Sequence, residues 1–117
     1  MSSNAYDKMA DFIESIYHVA LMVNRKAVSQ QDSRLRYIAL TIWNYLQALA
    51  VEHGVDVKAL VADPTQINLI PIFEYVAANN IEFYDFSTIS PTDVDVSKKS
   101  DIERFVLSHI YYITQGK

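Results

Sequence analysis

Cysteine is absent from the 117 residues, which excludes a disulfide scaffold, a thiolate zinc site and a cysteine nucleophile. Glycine occurs twice, at 54 and 116, so phosphate loops of the P-loop and GxGxxG kinds are excluded, as is the GxSxG elbow. Three prolines and two glycines are too few turn formers for an all-β domain of this length, and the balance points to helices. The longest apolar run, Val19 to Val23, falls far short of the roughly 20 residues of a membrane span. The opening MSSNAYDKMADF is polar and lacks the apolar core of a signal peptide, so a soluble, cytoplasmic protein is expected. One more absence is local: residues 59–97 contain no Lys or Arg.

Half of the residues are apolar, enough for one all-α domain over 1–117 with its own core. The clearest element runs from Asp32 to Gly54. Leu35, Ile38, Ala39, Ile42, Leu46, Leu49 and Ala50 recur at three- and four-residue steps, one face of a helix. Asp32 or Ser33 is placed to cap its start and Gly54 to end it. A first helix is expected from about Asn4 to Val28, with Met9, Phe12, Ile13, Ile16, Ala20 and Val23 facing inward. The short polar connection SQQDS makes the two a long N-terminal helical hairpin.

Shorter pieces follow. Asp56 can cap one or two turns over 57–62, which Asp63-Pro64 breaks. A helix from Leu69, capped by Asn68 with Pro71 in its first turn, should stop at Asn79-Asn80. Residues 81–96 admit two readings. Ile81, Phe83, Val94 and Val96 alternate weakly, as in a small β-hairpin; an ordered loop pinned by Phe83 and Phe86 is the other. The last helix is signalled by Ser100 and Glu103 at capping-box spacing, by the stripe Ile102, Phe105, Val106, Ile110 and Ile113, and by Gly116 as its stop.

Charge is unevenly placed. The net charge is −4, yet residues 1–58 balance; the deficit sits in 59–97, with Asp63, Glu74, Glu82, Asp85, Asp93 and Asp95. Arg25, Lys26, Arg34 and Arg36 surround the first interhelix turn, a patch too small beside this acidity to be a nucleic-acid footprint. The carboxylate pairs Asp7/Asp11, Glu82/Asp85 and Asp93/Asp95 read as solvated charge, and no metal or cofactor is expected.

The three histidines, His18, His53 and His109, lack HxxxH or HExxH spacing. His53 suits a helix C-terminal turn, where a cation is favoured. His18 reads as mid-helix and satisfied by a partner or by solvent. His109 continues the last helix's apolar stripe, five residues after Arg104. RFVLSHIYY, residues 104–112, resembles the R-x4-H motif of HEPN-domain ribonucleases, small all-α proteins. The resemblance implies phosphate stabilisation by Arg104 and acid–base chemistry by His109 at a dimer cleft. On a straight helix, five residues turn the chain by about 140°, which sets the two side chains on different faces.

The eight tyrosines include Tyr37 and Tyr45, two turns apart on one helix, and Tyr84 between Glu82 and Asp85. The expected function is a non-enzymatic interaction domain, an inhibitor, immunity-type protein or adaptor. It would present Glu82, Tyr84, Asp85, Asp93 and Asp95 to a protein partner with a basic surface. The two alternatives are the ribonuclease and a homodimer joined through its tyrosine-rich, apolar helix surface.

Overall fold

The structure, a computed structural model, describes residues 3–90, 93–95 and 97–115, with side chains from residue 8 onward in the first helix. Four α-helices form: α1 (Ser3–Gln30), α2 (Ser33–His53), α3 (Ile70–Ala78) and α4 (Lys99–Thr114). No strand occurs among the described residues, and no helix there is long and apolar enough to cross a membrane. At about 1.5 Å per residue α1 is roughly 42 Å long, and it sets the 44 Å long axis of a 44 × 31 × 26 Å molecule.

α1 and α2 are joined by Gln31 and Asp32 alone and pack along each other. Gln31 takes a left-handed conformation (φ 51°). Asp32 then accepts from the backbone N–H groups of Arg34 (2.9 Å) and Leu35 (3.2 Å), two donors the helix leaves orphaned. Asp32→Ala is therefore expected to cost about 1 kcal/mol, measured as a lower urea midpoint at an unchanged slope. At the other end Gly54 has φ 68° and its N–H returns to Ala50 and Val51, the left-handed stop its position suggested.

Phe12, Ile13, Ile16, Val19 and Val23 of α1 meet Ile42, Leu46 and Leu49 of α2, with Ile72, Val106, Leu107 and Ile110 closing the core from α3 and α4. These large side chains are almost wholly withdrawn from water, each worth about 1.5–3 kcal/mol of transfer. Polar stitches hold the irregular 55–69 segment onto α1. The Ser15 hydroxyl donates to the Asn68 carbonyl at 2.7 Å, and His18, carrying its proton on Nε2, donates to the Val61 carbonyl at 2.6 Å. Arg25 pairs with Asp63, which removes it from the basic cluster read around the first turn. In this segment the turns expected over 57–62 shrink to a single 3-10 turn, Val57–Ala59, capped by Asp56.

α3 starts one residue later than expected, with Leu69 and not Asn68 at the cap position; Pro71 lies in the first turn as its missing N–H allows, and Asn68 accepts from the Ile70 N–H at 3.1 Å from just before the helix. It ends at Asn79, followed by Asn80 at φ 52°. The start of α4 differs from the expected capping box. The helix begins at Lys99, and neither Ser100 nor Glu103 caps it with its side chain. Glu103 is engaged elsewhere, as acceptor for two tyrosine hydroxyls. The expected stop at Gly116 and the strand position of Val96 lie outside the described residues, as do the side chains of Tyr6 and Asp7.

Candidate functional site

The described residues of segment 81–96, namely 81–90 and 93–95, contain no strand, and aromatic packing onto α4 shapes them. Phe83 stacks on Tyr111 with centroids 4.5 Å apart. Phe86 reaches Phe105, His109 and Tyr112. Tyr84, Val94 and Phe105 form a second, smaller buried cluster, with Phe86 and Ile89 against it.

This packing decides what the loop presents. Tyr84, expected on the surface, is buried, 8% exposed. Its N–H donates to the Ser108 hydroxyl (2.9 Å), its carbonyl accepts from the Tyr112 hydroxyl (3.1 Å), and the Arg104 guanidinium lies 4.0 Å over its ring. A ring so placed anchors the loop. The exposed aromatic nearby is Tyr112, 45% exposed, one turn beyond Ser108 on α4. Only its position off the apolar stripe of α4, between Ile110 and Ile113, hinted at this in the sequence.

Glu82, Asp85, Asp93 and Asp95 are exposed. Three of them also build turns. Asp85 accepts from the hydroxyl and N–H of Ser87, Asp95 from those of Ser97, and Asp93 from the Ser90 N–H at 3.1 Å. The Ser87 and Ser97 hydrogen bonds hold the carboxyls of Asp85 and Asp95 below the usual aspartate range, so both stay charged. Glu82 lies 3.9 Å from Arg104, whose Nε–H donates to the Glu82 carbonyl. No group of three or more His, Asp or Glu among the described residues is close enough to hold a metal ion.

Arg104 and His109 engage different partners. Arg104 is committed to Glu82 and Tyr84. His109 is buried, with Phe86 and Phe105 each 4.4 Å from its ring, and its Nδ1–H donates to the Phe105 carbonyl at 3.1 Å. Burial pushes its imidazole below the usual histidine range; the Phe105 carbonyl opposes this and the Arg34 charge adds to it. An imidazole neutral in this way packs well between aromatic rings and is poorly exposed for proton transfer to a substrate. His18 and His53 are likewise occupied: His18 on Val61, His53 at the end of α2, 3.8 Å from Glu52.

No protein-family model, curated protein or solved structure compared with this chain matches it.

The polar centre that the sequence did not reveal lies at Glu103. Oε2 of its carboxylate accepts from the hydroxyls of Tyr45 (2.6 Å) on α2 and Tyr75 (2.7 Å) on α3. Tyr75 in turn stacks on Phe12 of α1, with centroids 4.0 Å apart. All four helices thus meet at one carboxylate and two phenols. Tyr45 and Tyr37 do not share a surface flank: Tyr45 is 6% exposed and Tyr37 53%. Burial first, then the hydrogen bond to Glu103 and its negative charge, push the phenols of Tyr45 and Tyr75 above the usual tyrosine range. Both hydroxyls are donors at any ordinary pH, and the arrangement is a structural clamp.

Proposed function

We propose that the chain is a non-enzymatic interaction module whose acidic 82–95 face docks on a basic surface of a protein partner, as an inhibitor or adaptor does. The observation that carries this reading is the Lys- and Arg-free block 59–97, with the exposed carboxylates of Glu82, Asp85, Asp93 and Asp95 all within residues 82–95. Complementary charge speeds encounter and rejects wrong partners. The anchoring of the loop through Tyr84, Phe83 and Phe86 supports the reading further, because a face already fixed before contact loses little conformational freedom on docking. The exposed ring of Tyr112 would give that face an aromatic contact of the kind interfaces favour.

Amide replacement tests this without disturbing the turns, since an amide oxygen still accepts from Ser87 or Ser90. Asp85→Asn with Asp93→Asn is expected to weaken a captured partner's binding by about tenfold or more at low salt, measured by titration calorimetry beside the parent protein. Unchanged affinity at low salt would remove this loop as the docking surface.

A further inference from the structure

A second surface is free of the acidic loop and carries a pattern of its own. On α2, Tyr37 is 53% exposed, Leu40 50% and Val51 81%, and Asn44 and Ala48 between them are exposed too. At about 100° per residue these five positions fall within an arc of roughly 80° centred on Asn44. Ile42, Leu46 and Leu49 point the opposite way, into the core. Three-and-four spacing over an outward face is the pattern of a helix–helix seam.

The seam is symmetric about Asn44. Positions 37 and 51 lie equally far from it, as do 40 and 48. Turned end for end, a second α2 would set Tyr37 beside Val51 and Leu40 beside Ala48, large against small at each level. Asn44 would meet Asn44, where two amides can donate to and accept from each other. Charge follows the same rule. The first turns of α2 carry exposed Arg34 and Arg36, and its last turn carries the negative end of the helix dipole and exposed Glu52, whose surface ion pair with Lys99 of α4 (2.8 Å) is one a partner's arginine can share. Antiparallel pairing sets Arg36 beside the partner's Glu52 and helix C-terminus at both ends; parallel pairing stacks Arg36 on Arg36 and Glu52 on Glu52. Beside this ridge, between α2 and the start of α4, runs a groove of about 620 Å³ bordered by Thr41, Ala48 and Ile102, with room for a partner's side chains.

We propose that the protein is a homodimer in which two copies of α2 pack antiparallel across a two-fold axis at Asn44. A self-complementary patch of this kind closes into a dimer and leaves no free end. A polar residue at the seam's centre fixes register and direction at some cost in affinity. The proposal concerns a different face from the acidic loop, so either can fail alone.

The absence of native cysteine makes the test direct. In this arrangement N44C places two thiols within disulfide reach, whereas V51C alone leaves them about 21 Å apart along the helices. Mild oxidation of the full chain is expected to cross-link N44C at least ten times faster than V51C. Light scattering should give twice the 13.4 kDa chain mass, falling to the monomer mass in a folded L40D/V51D variant. Three results would overturn the proposal: a monomer mass for the unmodified protein at its highest soluble concentration, a dimer that survives L40D/V51D, or V51C cross-linking as fast as N44C.

Discussion

Phe105→Ala is expected to cost about 3–5 kcal/mol and to release the 81–95 loop from α4. Phe105 is 1% exposed and stands where the small cluster under the loop meets α4. It touches Phe86 edge-on at 6.2 Å and His109 at 4.4 Å, and Tyr84 and Val94 are buried with it. Removing the ring leaves a cavity between α4 and a loop whose own backbone bonds are local turns, such as Thr88 and Ile89 N–H to the Asp85 carbonyl, so contact with Phe105 is a main tie of the loop's side chains to α4. Two measurements separate the effects. Urea unfolding gives the loss of global stability, and amide exchange within 82–95 gives the loss of local order. Loop amides that stay as protected as in the parent protein would show that the loop is ordered by something other than this cluster.

Glu103→Ala should be as damaging for a different reason. It strips the shared acceptor from two tyrosine hydroxyls, one of them on a 6% exposed side chain. Hydrogen bonds to a charged acceptor contribute about 1.5–3 kcal/mol each, and an abandoned buried donor keeps its desolvation cost, so the expected loss is about 3–5 kcal/mol. Glu103→Gln keeps an acceptor oxygen and should lose clearly less. The same clamp makes the fold's stability depend on alkaline pH. The Tyr45 phenol is pushed above its ordinary value in the folded chain, first by burial. Its contribution is therefore complete below about pH 10 and declines above it, as the unfolded chain ionises and the folded one does not. Tyr45 alone gives a slope of about 1.4 kcal/mol per pH unit there. Tyr45→Phe should flatten the stability profile above pH 10 by that amount; an unchanged slope would mean that the hydroxyl reaches solvent.

The regular parts of this fold are legible because they depend on neighbours in sequence. The 35–38–39–42–46–49 stripe, the Asp32 cap and the Gly54 stop each follow from local geometry, and all three appear where expected. Phe83 and Phe86 were identifiable as loop anchors because so much apolar area in an acidic stretch must be buried somewhere. Two of the misreadings share one cause, a side chain with two possible partners. Ser100 and Glu103 have the spacing of a cap, and only the approach of Tyr45 and Tyr75 from two other helices turns Glu103 inward. Tyr84 between two carboxylates looks like a presented ring, and only Arg104, Ser108 and Tyr112, 20 to 28 residues on in α4, draw it in. Contacts made across 20 to 60 residues leave no local signature.

The proposed acidic docking face has its largest expected effect on the encounter itself. The decisive measurement is the association rate constant of the full chain with a captured partner, followed by stopped flow as ionic strength rises. Screening shortens the reach of exposed charge from about 30 Å at 0.01 M salt to about 3 Å at 1 M. If Glu82, Asp85, Asp93 and Asp95 steer the approach, the rate falls by about tenfold or more over that range while dissociation changes far less. An association rate indifferent to salt would contradict the account.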